Sequence, residues 1–241
     1  MSNPFDFFEE IYCINLADRT DKWKTCLEEF EKIGIHNRVE RLEAIKFEEP
    51  HSYANIRAAG CSASQRAAIN LIKERNLNNA LIFEDDVEFI TNTENIYKNL
   101  KLSIEELKLQ KYWDIFYLGM HVNMEINRYI NKEHIPPLER VGANLLKVNV
   151  AKCTHAQAYS REAAEIIVSN IPPLHGQNIV PWTEKNDIID QWILRHMLPR
   201  GRSFSTNEFL ATQRECFSDI NLVIARMDKY FVTEFNKLRP A

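Results

Sequence analysis

An α/β fold built on a largely parallel sheet is what this sequence predicts, and three observations carry the prediction. Short apolar runs at residues 11–16, 80–83 and 114–119 alternate with segments whose apolar residues recur at helical spacing. Gly, Asn, Asp or Ser marks the changes between them. The chain has 241 residues and is 45% apolar, enough for one large domain over residues 1–241 with a sizeable core. Strands that alternate with helices of this length need crossover connections, and crossovers make parallel neighbours.

The first unit is a strand at 11–16, a break at Asp18-Arg19-Thr20-Asp21, and a helix carrying Trp23, Leu27, Phe30 and Ile33. Gly34 stands where a C-cap glycine belongs. A second helix is expected to open at Gly60-Cys61-Ser62, with Ser62 and Gln65 at the spacing of a capping box. Ala68, Leu71 and Ile72 supply its buried face, and residues 76–79 end it. The 80–83 strand follows, then a helix through Ile96, Leu100, Ile104 and Leu107, then the 114–119 strand. Residues 120–142 are polar and end in Ile135-Pro136-Pro137, which reads as a loop excursion over the surface. Strands are expected at 145–150 and 154–159, with Ser160 as N-cap of a helix through Ala163, Ile166 and Ile167. Asn186 or Asp187 starts a helix with Ile189, Trp192, Ile193 and Met197, stopped by Pro199. Residues 220–241 read as a helical tail that sets Tyr230, Phe231 and Phe235 among basic residues.

Charge and cysteines narrow the classes. A formal net charge of −4 offers no global field for nucleic acid. The five cysteines, Cys13, Cys26, Cys61, Cys153 and Cys216, form no C-x-x-C pair, which argues against zinc ribbons and thioredoxin-type motifs. Scattered cysteines suit a reducing compartment. Met1-Ser2-Asn3-Pro4-Phe5-Asp6 does not read as a signal peptide, and no apolar run approaches the ~20 residues of a membrane span. The expectation is a cytoplasmic protein. The aromatic and basic tail gives it a route to the inner face of a membrane, although packing back on the domain explains the same residues. Walker A, G-x-G-x-x-G, H-E-x-x-H and G-x-S-x-G are all absent.

The chemistry concentrates at Glu84-Asp85-Asp86, where a short apolar strand stops on three carboxylates. Buried acids are costly unless something neutralises them, and a divalent cation with oxygen ligands is the usual remedy. A solvated acidic turn explains the same run equally well. Alternation along a strand puts Glu84 and Asp86 on one face and Asp85 on the other, so the first two are the pair able to share an ion. Asp187 and Asp190 lie in the first turn of their helix, where the macrodipole favours acids in any case. His155 sits in an apolar strand, as satisfied core histidines do. Asn15 and Arg19 follow the first strand, where a nucleotide and an ordinary turn are both served by such residues.

In this order, the segments resemble glycosyltransferase family 25, which includes bacterial lipooligosaccharide galactosyltransferases and collagen galactosyltransferase domains. Ile14-Asn15-Leu16 with Arg19, Gly60-Cys61 with Ser64, and Leu81 to Val87 through Glu84-Asp85-Asp86 are similar to its first three motifs. So are Trp113-Asp114 to Leu118-Gly119, Thr154-His155-Ala156 to Tyr159-Ser160, Asp190 with Trp192-Ile193, and Gln213 with Ser218-Asp219-Ile220. Two positions depart from the pattern: Gln65 stands where the family has histidine, and Gln157 interrupts T-H-A-Y. The resemblance implies a GT-A type fold and an inverting transfer from a nucleotide sugar, commonly UDP-galactose, to a hydroxyl of a glycan, a glycolipid such as lipooligosaccharide, or hydroxylysine. It further implies Mn²⁺ or Mg²⁺ on Asp86 and Glu84, a donor held by Asn15, Arg19, Ser64, Glu84 and Asp85, and Asp190 as base, with His155 a second candidate. A non-catalytic glycan- or nucleotide-binding relative and a metal-dependent hydrolase are the alternatives from other classes.

Overall fold

The computed structural model describes residues 3–47, 53–122, 135–172, 181–183, 185–186, 188–217, 224–225 and 228–240. Strand β1 (Glu10–Asn15) is buried at every position after its first, as an apolar run in the middle of a sheet must be. Helix α1 (Thr20–Lys32) follows and ends as the sequence predicts. Gly34 adopts φ +66°, the Ile35 N–H bonds the Phe30 carbonyl at 2.9 Å, and the Gly34 N–H bonds the Glu31 carbonyl at 3.0 Å. That pair of bonds is the Schellman arrangement, which needs a residue free to take the left-handed conformation.

Strand β2 (Val39–Glu43) lies parallel to β1 on its outer side. It is half-exposed, charged and at the sheet edge, and its Val-Glu-Arg-Leu-Glu pattern carries too little apolar signal to read from sequence. Helix α2 (Tyr53–Glu74) then crosses to the other face, and β3 (Asn79–Glu84) pairs in parallel on the inner side of β1. The chain therefore leaves β1 in two directions, and the crevice between the carboxyl ends of β1 and β3 is a topological switch point.

The opening predicted for α2 is corrected. The helix starts at Tyr53, not at Gly60, and Ser62 and Gln65 form no capping box. Ser62 Oγ bonds the Ala58 carbonyl and accepts the Ile189 N–H, while Gln65 reaches Glu84. Gly60 serves a close approach instead: a Cβ there would lie 2.7 Å from the Ile45 carbonyl oxygen.

After β3 come β4 (Val87–Phe89), α3 (Thr93–Leu107) and β5 (Ile115–His121). Strand β5 runs two residues into the predicted excursion, whose residues 138–140 form a strand and not a loop, and residues 123–134 lie outside the described ones. Strands β6 (Leu138–Arg140) and β7 (Leu145–Val148) follow. Strand β8 (Lys152–Ser160) is then inserted antiparallel between β3 and β5. Helix α4 (Arg161–Asn170) is capped as predicted, with Ser160 Oγ accepting the Ala163 N–H. Helix α5 (Ile189–His196) begins just after the predicted start, and Asp187 lies outside the described residues. Strand β9 (Ser203–Thr206) pairs in parallel with β5, and β10 (Ala211–Gln213) pairs antiparallel with β4. A short pair, β11 (Cys216–Phe217) and β12 (Ile224–Ala225), precedes helix α6 (Asp228–Leu238).

The main sheet has the order β2-β1-β3-β8-β5-β9-β7-β6, with β8 and β7 running against the other six strands. This is the mixed, largely parallel α/β sheet that the sequence predicts. One face packs Cys26 and Phe30 of α1 and Ile96, Leu100 and Ile104 of α3 against Ile11, Leu81, Phe83 and Phe116. The other face packs α2, α4, α5 and α6 against Tyr12, Ile82, Tyr117 and Tyr159. Phe231 and Phe235 of α6 are fully buried there, and Tyr230 is exposed. Of the three tail aromatics, two thus pack into the core.

Candidate active site at the carboxyl edge of the sheet

Asn15 ends β1, Glu84 ends β3, and the start of β8 lies at the same edge because β8 runs the other way. The residues that converge at this edge divide into two environments. Asp85 belongs to the α1 side. Its carboxylate accepts from Asn15 Nδ2 at 2.7 Å and lies 3.4 Å from the Lys22 ammonium. Asn15 is itself fixed: Nδ2 also bonds the Arg19 carbonyl, and Oδ1 accepts Arg41 Nε at 2.9 Å. The Arg41 guanidinium in turn lies 5.4 Å from the centre of the Trp23 ring. The Arg19 side chain pairs with Asp21, whose carboxyl that hydrogen bond holds down at about 2.

Glu84 and Asp86 belong to the other environment. Glu84 Oε1 accepts from Thr154 Oγ1 at 2.5 Å and from Gln65 Nε2 at 2.7 Å. Asp86 Oδ2 accepts from Gln213 Nε2 at 3.1 Å, and Asp86 Oδ1 is buried with no hydrogen-bond partner among the described residues. Every one of these donors is neutral. Burial pushes the Glu84 carboxyl up, against the two hydrogen bonds that favour its charged form. For Asp86, burial and then the charges of Glu84 and Asp85 push the carboxyl up to about 7. Only Glu84 lies in the strand, and Asp85 and Asp86 form the turn after it, so their partners and not strand alternation separate the acids.

Asp190 joins this second group. Its Oδ2 accepts the Cys153 N–H at 3.0 Å, and Cys153 takes φ +68°, a conformation side-chain-bearing residues seldom adopt. One residue earlier, the Ile189 N–H bonds Ser62 Oγ, so α2 and β8 together hold the first turn of α5. Burial chiefly, and then the charges of Glu84, Asp86 and Asp190, push the Cys61 and Cys153 thiols well above their usual range.

Two candidates have other surroundings. Ser64 is buried, donates to the Gly60 carbonyl at 2.7 Å and accepts the Ile45 N–H at 2.7 Å, so both roles of its hydroxyl tie α2 to the segment after β2. His155 is fully buried, with Nε2 at 3.4 Å from the Ala211 carbonyl and its ring stacked on Phe231 at 6.0 Å. Burial pulls its imidazole down to about 4. Gly119 makes room for it, since a Cβ there would lie 2.6 Å from His155 Nε2 and 1.8 Å from the Ala211 carbonyl oxygen. The structure also adds residues that sequence reasoning gave no role: Thr154, Lys22 and Arg41 at the two acid environments, and Gln213 on Asp86. Thr154 and Gln213 carried a sequence signal, each as part of a short motif, and Lys22 and Arg41 carried none. Ser218, Asp219 and Ile220 of the Gln213 motif lie outside the described residues.

The fit of a divalent cation follows from these distances. Among the described residues, no group of three or more His, Cys, Asp or Glu side chains is placed to hold a metal ion by itself. Hard cations of the Mg²⁺ kind are commonly held by one or two carboxylates, with phosphate and water oxygens completing the shell. A half-buried acid pair with neutral donors and one buried, unpartnered oxygen suits that second arrangement. Among the described residues no helix is long and apolar enough to cross a membrane.

No family model matches the chain. Among solved structures it is similar to a glycosyltransferase involved in glycosylation of the major capsid of PBCV-1, with a TM-score of 0.44 and 15% identity, over 81% of this chain and 79% of that one. It is also similar to UDP-glucose pyrophosphorylase complexed with UDP-glucose, with a TM-score of 0.44 and 11% identity, over 95% and 80%. In sequence it is 28% identical over 131 residues, 46% of this chain, to the human protein named inactive glycosyltransferase 25 family member 3. It is 28% identical over 155 residues, 56% of this chain, to the bovine protein named probable inactive glycosyltransferase 25 family member 3. The matches span 22% and 25% of those relatives' lengths. By sequence, then, the chain is similar over about half its length to two proteins named for glycosyltransferase family 25.

Proposed function

We propose that this chain is an inverting glycosyltransferase that moves a sugar, galactose from UDP-galactose, onto a hydroxyl of a glycan or glycolipid acceptor. The observation that carries the reading is the pair Glu84 and Asp86. They lie half-buried at a topological switch point, held only by neutral side-chain donors, with Asp86 Oδ1 buried and unpartnered among the described residues. An arrangement of that kind costs stability until a cation arrives, which is expected of a site and not of a structural turn.

In this reading Asp86 and Glu84 hold Mn²⁺ or Mg²⁺, which when bound neutralises charge on the departing diphosphate. Gln65 and Thr154 keep Glu84 in its charged form by donating to one of its oxygens. Asn15, Arg19 and Asp85 border the nucleotide on the α1 side of the crevice, where Arg41 and Trp23 also lie. Asp190 is the base that takes the acceptor proton, positioned by the Cys153 N–H and by the Ser62 anchor on its helix turn. His155 stays neutral and supports the packing of α6.

A second reading is a nucleotide-sugar-binding relative that does not transfer. It is favoured by the names of the two curated relatives, both called inactive. A nucleotide-sugar panel with and without Mn²⁺, followed as donor binding and as slow donor hydrolysis, separates the two. Mn²⁺-dependent binding with hydrolysis supports the transferase, binding alone supports the binder, and neither with any donor refutes both. Asp190→Ala adds a second check. As the base it should lose transfer and keep Mn²⁺-dependent UDP-sugar binding, and loss of both would move Asp190 to another role.

A further inference from the structure

The donors on the paired acids are unequal. Glu84 is held by two side chains, one from α2 and one from β8. Asp86 is held from a single direction, the β4–β10 ribbon, and there the contacts accumulate. Val87 and Gln213 are cross-strand partners, the Arg214 N–H bonds the Asp86 carbonyl at 2.6 Å, and Gln213 Nε2 bonds Asp86 Oδ2. The ribbon is itself anchored from beneath. Glu29 of α1 is almost fully buried; its carboxylate accepts the Phe89 N–H at 3.0 Å and lies 3.4 Å from the Arg214 guanidinium. One buried carboxylate thus ties both strands of the ribbon to the body of the domain.

We infer that Gln213 is the positioning residue of Asp86: its amide fixes Oδ2, so that Oδ1 is the oxygen presented to a divalent cation. The inference rests on the reading of Asp86 as a cation ligand. A neutral amide suits the task. It orients the carboxylate without supplying a positive charge, whereas a lysine or arginine at this place would neutralise the acid and remove its attraction for a cation. Glu29 and Arg214 act one step further out, by holding the register that sets Gln213 opposite Val87.

The test is a Mn²⁺ titration of the whole chain in the presence of UDP, following UDP binding, on wild type, Asp86→Asn, Gln213→Ala and Gln213→Met. Methionine keeps the length of glutamine and lacks the donor, so Gln213→Met carries the test if the alanine variant does not fold. The expected result is a rise of about tenfold to a hundredfold in the Mn²⁺ concentration for half-maximal binding, the usual cost of losing a group that orients a metal ligand. UDP affinity at saturating Mn²⁺ should stay near the wild-type value, a split that general destabilisation would not produce. Gln213 variants that titrate like wild type overturn the inference about Gln213 alone. A wild type whose UDP binding ignores Mn²⁺, or an Asp86→Asn protein that responds normally, overturns the reading of Asp86 and the inference with it.

Discussion

Asp85 meets the Lys22 ammonium and the Asn15 amide, whereas Asp86, one residue later, meets a single neutral amide. The consequence is a pH dependence. A carboxyl raised from the ordinary aspartate value to about 7 keeps its proton in the folded chain between about pH 4 and 7, where the unfolded chain has lost it. Its contribution to stability is therefore fullest at the acid end of that window and is lost as pH rises through it. Asp86→Asn removes the penalty of a buried charge. Without added metal, the variant should melt above wild type at pH 8, by about 2–4 °C per kcal/mol in a chain of this size. The gap should close toward pH 4. A variant no more stable than wild type at pH 8 would contradict the burial argument. The same variant should lose Mn²⁺-dependent donor turnover, measured as free sugar released. The acids themselves were legible as a triplet at a strand end. Their hydrogen-bond partners were not, because Thr154 and Gln213 are 70 and 127 residues away from the acids they bond.

At the scale of elements, two glycines mark places where backbones meet. Gly60 lets the segment after β2 cross α2, with a Cβ position 2.7 Å from the Ile45 carbonyl oxygen. Gly119 lets β5 approach Ala211 and the His155 ring, and the registry of β5 with β8 shifts on either side of it. Forcing a methyl into packed structure typically costs about 1–3 kcal/mol, and Gly119→Ala should cost more than Gly60→Ala because its Cβ would come within 1.8 Å of backbone. Thermal melts of the two variants check the order, and a Gly119→Ala protein as stable as wild type would refute the close approach. Most elements were legible because their signals are local: Gly34 ends α1, Ser160 starts α4, and apolar periodicity marks α3. The opening of α2 was not. Gly60 looks like a boundary in sequence, yet it sits within a helix whose glycine serves a crossing made by residues around Ile45. Strand β2 escaped notice for a related reason, since an edge strand with alternating charges lacks an apolar run.

For the whole molecule, the sheet order puts the crevice between β1 and β3, and α6 closes the far side of the core. Phe231 stacks on His121 at 4.6 Å and on His155 at 6.0 Å, and Phe235 packs against Phe209 at 5.2 Å. Phe231→Ala should cost about 3–5 kcal/mol, as loss of a fully buried aromatic does. Denaturant unfolding measures it, and a cost below 1 kcal/mol would mean that α6 packs only loosely. By itself the sequence determined the alternation of strands and helices, the helix ends at Gly34 and Ser160, and the three acids at a strand end. Those depend on neighbours a few residues apart, through side-chain periodicity and backbone sterics. Only the tertiary structure decided that β8 enters antiparallel between β3 and β5, that His155 stacks on Phe231, and that Asp86 answers to Gln213 while Asp85 answers to Lys22. Contacts across the sheet depend on which distant segments pair, and strand pairing leaves no local mark in the residues that make it.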